Sequence, residues 1–123
     1  MSREKIEEFR AERERLNEIV MKYAGTNIKR FYNIDWQVYK DGALPAKIKE
    51  LLGFVASMVL RCDDCILYHL LQCHQLGISS EEIEEATSVA LIVGGSIVIP
   101  HMRRALQAWD DLQQTAAAKQ RTP

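Results

Sequence analysis

Glu50, Cys62, Cys65 and His69 are the residues of this chain whose types and spacing could do chemistry together. Two thiols separated by two residues can close a disulfide within one helical turn. His69 follows Cys65 by four positions, which sets it on the same helical face one turn further along. Backbone N–H groups at a helix start stabilise a thiolate, the nucleophilic form of cysteine. The imidazole can take the proton of Cys65 or return it to a leaving group. Glu50 is the last charge before the apolar run from Leu51 to Leu60, a position suited to burial and to a hydrogen bond with His69. Such a set can exchange electrons and protons with a peroxide or a disulfide.

The same stretch admits other readings. At about 100° per residue, Cys62, Cys65, Ile66, His69, Cys73 and Leu76 share one arc of a helix, and Asp63, Asp64 and Gln75 fall outside it. A zinc ion would need its ligands at about 2.0–2.3 Å. Cys62 and Cys73 stand about 16 Å apart along a helix axis, so a metal would have to borrow Glu50, His101 or another subunit. Cys73 reads as a small core residue. His74 reads as a packed or interface histidine, and Trp36 and Trp109 as core or interface aromatics. His101, after Pro100 at a helix start, could reach the site or simply pack. Asp63 and Asp64 suit the helix dipole, but their charge opposes a neighbouring thiolate. That opposition points to a reducing dithiol couple. The expected site holds no metal and no organic cofactor, the cysteine pair being the redox group.

Elements that position these residues are helical throughout. No segment alternates apolar and polar residues as a half-buried strand would, and proline occurs only at Pro45, Pro100 and Pro123. Ile6, Phe9, Leu16, Ile19, Val20 and Tyr23 recur at helical steps on a strongly charged first helix, which Gly25 stops. A second helix is expected from about Asn27 to Tyr39. A third opens at Pro45, placed at the first helical position. Its main apolar face is Leu44, Ile48, Leu51, Leu52, Val55 and Val59, and with Phe54, Met58 and Leu60 its second half is expected to be buried nearly all round. The fourth helix carries the cysteines and stops at Gly77. Ser79 and Glu82 form a capping box that starts the fifth, which breaks at Gly94-Gly95. The sixth is expected from about Ser96 to Gln114. One domain over residues 1–114 and a disordered tail over 115–123 complete the expected organisation.

With 47% hydrophobic and 27% charged residues, the composition is that of an ordinary globular protein. A net charge of -1 argues against a general nucleic-acid or membrane-surface binder. The first twenty residues lack the apolar core of a signal peptide. The run from Leu51 to Leu60 is far short of the roughly 20 residues of a membrane span. Three cysteines do not make a paired disulfide framework. A reducing, cytoplasmic setting is expected, where a CxxC pair is more often redox-active or metal-binding than structural.

These residues resemble the carboxymuconolactone decarboxylase family, and within it the alkylhydroperoxidase D-like (AhpD-like) branch. That branch's signature is a glutamate, eleven residues, CxxC, three residues and a histidine, which here are Glu50, Cys62, Cys65 and His69. The stretch from Leu44 to Glu50, the Leu76-Gly77-Ile78-Ser79 stop and restart and the Gly94-Gly95 break are also similar. The resemblance covers roughly residues 40–112. It implies an all-α, single-repeat helical bundle of about six helices that forms homo-oligomers, commonly trimers or hexamers. It implies that Cys62 and Cys65 cycle between dithiol and disulfide, and that Glu50 and His69 belong to a proton relay. One member's relay also uses a histidine directly before the second cysteine, where this chain has Asp64.

The leading expectation is a thiol-dependent antioxidant oxidoreductase that reduces a peroxide or a partner's disulfide. The more exposed cysteine would attack first, with Cys65 favoured because His69 lies one turn on. A thiol or dihydrolipoyl-type carrier would return the electrons, as the resemblance implies. Two alternatives stay open. One is decarboxylase-like acid/base chemistry on a small carbonyl or lactone compound, using His69, Glu50 and His101. The other is a metal-binding or interaction module.

Overall fold

The computed structural model describes residues 3–121. These form six α-helices and no strand: α1 (Arg3–Tyr23), α2 (Thr26–Val38), α3 (Ala46–Val59), α4 (Asp63–Gln75), α5 (Ser80–Gly94) and α6 (Ile99–Arg121), with a 3₁₀ turn at Ser96–Val98 before α6. The chain divides into two compact units after Lys40, inside the stretch expected to be one domain. The first unit holds α1 and α2. Gly25 caps the start of α2, no residue of α2 is buried, and Trp36 is exposed beneath the Lys40 ammonium, so it is not a core aromatic.

The second unit, from Asp41 onward, carries the site. In it α3 packs on α4 and α5, and α4 packs on α6. Pro45 stands one position before α3, as its N-cap, and not at the first helical position. The buried stripe of α3 is Glu50, Phe54, Ser57 and Met58. It is not the leucine and valine line expected from hydrophobicity, and burial is not all round, since Leu44, Leu52 and Leu60 are exposed. The face is turned by a polar contact: Glu50 faces inward because its carboxylate is held by a buried histidine of α4. Below it, Phe54 and Met58 join Leu70, Cys73, Ile83, Ala90 and Val98 in the core.

Local signals set most helix ends. Ser79 accepts the Glu82 N–H at 3.1 Å, and the Glu82 side chain accepts the Ser79 N–H at 2.9 Å, which completes the capping box of α5. Gly94 ends α5 with no room for a side chain, because the Val98 side chain fills that space. Gly95 follows at φ 82° and ψ -173°, a region essentially reserved for glycine. Helix α6 continues to Arg121, past the end expected near Gln114 and through most of the stretch expected to be disordered; Thr122 and Pro123 lie outside the described residues. Alanines 116–118 have the highest helix propensity, and the Thr115 hydroxyl donates to the Asp111 carbonyl at 2.8 Å. Trp109 is buried, with its indole N–H donating to the Ser80 hydroxyl at 2.9 Å and its ring edge-on to His74.

Candidate active site

The turn from α3 into α4 builds the site. The Arg61 N–H donates to the Met58 carbonyl at 3.0 Å and the Cys62 N–H to the Ser57 carbonyl at 3.1 Å. That pair of bonds is the Schellman closure of α3, which requires a left-handed residue after the C-cap. Arg61 supplies it at φ 60°. The chain then enters the extended conformation at Cys62, the N-cap of α4, whose sulfur accepts the Cys65 N–H at 3.3 Å. Cys62 and Cys65 are joined in a disulfide, their Cα atoms 5.3 Å apart. Cys62 is half-buried and Cys65 exposed.

One turn beyond Cys65, His69 is buried and its Nδ1 lies 2.7 Å from Glu50 Oε2. A carboxylate accepts, so Nδ1 carries the proton and the lone pair of the neutral ring lies on Nε2. The ring occupies a notch in α3 at Gly53. A Cβ added there would stand 2.7 Å from Cε1, 2.9 Å from Nδ1 and 2.9 Å from Nε2.

A second cluster ties α6 to the start of α4. His101 Nδ1 lies 2.8 Å from Asp63 Oδ1, and Arg104 donates to Asp63 Oδ2 from Nε at 3.0 Å and Nη2 at 2.9 Å. Partial burial works to raise the Asp63 carboxyl, but the hydrogen bonds of His101 and Arg104 and the guanidinium charge hold it below its ordinary value. The charge of Asp63 is therefore engaged by α6, and the expected pressure of two carboxylates on the thiols falls mainly to Asp64, exposed in the first turn. Cys73 is fully buried; burial first, then the charges of Glu50 and Glu82, push its thiol up to about 12.

The structure thus brings Glu50 to His69 and Cys62 to Cys65, places His69 one turn beyond Cys65 on α4, and joins His101 to Asp63. Among the described residues, no three histidine, cysteine, aspartate or glutamate side chains converge as a metal site. Residue types and spacing did not single out Gly53 or Arg104. A glycine inside an apolar helix was the available signal for the first. Arg104 meets Asp63 across 41 positions and carried none.

The carboxymuconolactone decarboxylase family pattern matches residues 27–109, and this chain belongs to that family. A Thermotoga maritima protein of known crystal structure is 53% identical, with a TM-score of 0.88 over 90% of this chain and 97% of its own. A second crystal structure from T. maritima, also 53% identical with a TM-score of 0.87, covers 91% of this chain and 95% of its own; it is described as a carboxymuconolactone decarboxylase family protein for which a part in the antioxidative response has been suggested. A Legionella pneumophila member of the family, 24% identical over 89% of this chain and 96% of its own, has a TM-score of 0.74 and shares the fold. An uncharacterized Cupriavidus necator protein is 32% identical over 73 residues; the match spans 59% of this chain and 65% of that relative, a little under two thirds of it. The family includes enzymes and alkylhydroperoxidase D-like proteins. No helix among the described residues is long and apolar enough to cross a membrane.

Proposed function

We propose that this protein is an alkylhydroperoxidase D-like oxidoreductase that reduces a peroxide or a protein disulfide with the Cys62/Cys65 dithiol. The observation that carries this reading is the disulfide at the first turn of α4, one turn before a histidine buried against Glu50. The Cys65 thiolate, exposed and one turn from His69, attacks the terminal peroxide oxygen. The O–O bond breaks, Cys65 becomes a sulfenic acid, and the alkoxide leaves as the alcohol with a proton supplied through His69. The Cys62 thiolate then attacks the Cys65 sulfur and water leaves. One peroxide and two thiols thus give one alcohol, one water and one disulfide. A thiol or dihydrolipoyl-type donor restores the dithiol by exchange and is itself oxidised. Glu50 holds the imidazole in one tautomer and stabilises its protonated form.

The working form is proposed to be a cytoplasmic homo-oligomer, a trimer or hexamer as the family resemblance implies. Val89, Ile92 and Val93 form an exposed apolar stripe at helical spacing on α5, with Ile92 84% exposed. Apolar stripes of this kind are commonly covered by a partner.

The test is the mass of the protein. Fully reduced chain treated with one equivalent of peroxide loses two hydrogens, and neither Cys62→Ser nor Cys65→Ser does so. Persistence of the loss in either variant overturns the reading.

A further inference from the structure

We infer that Gly53 is a positioning residue, the notch in α3 that holds the working edge of His69 in line with Glu50. This rests on the relay proposed above. Glu50 and Gly53 are one turn apart on the face of α3 that meets α4. Glu50 draws Nδ1 toward α3 at 2.7 Å. A side chain at 53 would push the ring back. The positions a Cβ would meet are the three contiguous atoms Nδ1, Cε1 and Nε2, all at 2.9 Å or less. Both ring nitrogens therefore register against the missing side chain.

Ordinary helix chemistry does not favour glycine here. Inside a helix, glycine is less stable than alanine by about 1 kcal/mol, and Gly53 lies within α3, away from both ends. Its conformation is plain helix, with no positive φ to excuse it. What it provides is the absence of a methyl group. Glu50 and His69 are 5% and 9% exposed, so the ring is held among protein atoms and not at a free surface. An alanine must displace the imidazole from Glu50 or part α3 from α4.

The experiment is a cycle of Gly53→Ala and His69→Ala, read by denaturant unfolding and by peroxide oxidation of the reduced protein across pH, with imidazole ¹⁵N shifts of His69 for the first variant. In the wild-type background Gly53→Ala lowers the unfolding midpoint, moves the His69 nitrogen shifts and slows oxidation about as much as His69→Ala, on the order of 10²-fold. In the His69→Ala background the same change no longer clashes and raises the midpoint, as helix propensity demands. A midpoint that falls equally in both backgrounds overturns the inference, as does a Gly53→Ala protein with unmoved His69 shifts. Should His69→Ala oxidise as fast as wild type, the proposed relay fails. The midpoints and shifts then still decide whether Gly53 seats the ring.

Discussion

At the turn into α4, Arg61 sits at φ 60° and hands the chain to Cys62; at the turn out of it, Gly77 sits at φ 81° and hands the chain to Ile78. The hydrogen bonds are the same. The Arg61 and Cys62 N–H groups close α3 on the Met58 and Ser57 carbonyls, and the Gly77 and Ile78 N–H groups close α4 on those of His74 and Cys73. The residues beyond the two turns have different tasks. Ile78 is buried and closes the core, whereas Cys62 caps α4 and binds Cys65. The relaxed residue stands before the packing contact and the strained one before the paired cysteines. A side chain in the left-handed region costs about 1–2 kcal/mol, and such strain gathers at functional sites. The three cysteines divide in the same way, two at the entry and Cys73 near the buried exit.

Reactivity gives the widest separation between the two ends. In reduced, folded protein, Cys62 and Cys65 alkylate at neutral pH and Cys73 does not, as mass spectrometry of labelled peptides will read. The Cys73 thiol, raised from 9.0 to about 12, stays protonated until the solution approaches that value. Because its folded value lies above the unfolded one, its contribution to stability is complete below the ordinary thiol range and is lost as pH rises through about 12. Labelling of Cys73 in the native state near neutrality breaks the contrast.

Substitutions at the two turn residues test whether backbone strain separates the ends. Gly77→Ala is expected to destabilise by about 1–2 kcal/mol in denaturant unfolding. Arg61→Gly is expected to stabilise by about 0.5–1 kcal/mol, because relieved strain exceeds the entropy glycine adds to the unfolded chain. A loss of stability in Arg61→Gly would show that its side chain, not its backbone, sets the turn.

The smallest effect belongs to the tie from α6 to α4. Arg104→Ala removes an exposed ion pair and is expected to cost about 0.2–1 kcal/mol at neutral pH. Asp63 has a depressed carboxyl, so its contribution is present above the ordinary carboxylate range and fades as pH falls through the lowered value. Wild type and Arg104→Ala should therefore converge in acid. A gap that persists there would mean that Arg104 acts through something other than the Asp63 carboxylate.

Local chemistry made much of this legible. Ser79 with Glu82, Gly77 and Gly95 mark helix ends by their own local needs, and those ends lie where the residues suggest. The contact of Glu50 with His69 followed from a charge set against an apolar run and from the family spacing. The buried face of α3 was not legible, because hydrophobicity ranks Leu52 above Ser57, while the Glu50–His69 bond rotates the helix the other way. The Asp63 cluster depends on where α6 crosses α4, which no local spacing encodes. Asp63 and Asp64 read as a matched pair of repelling charges, yet only their tertiary surroundings distinguish them.

Steady-state peroxide reduction with a dithiol donor, comparing wild type, Cys65→Ser and His69→Gln, addresses the central claim most directly. Turnover is expected in wild type, none in Cys65→Ser, and a loss on the order of 10²-fold or more in His69→Gln. Undiminished turnover in Cys65→Ser would contradict a dithiol mechanism.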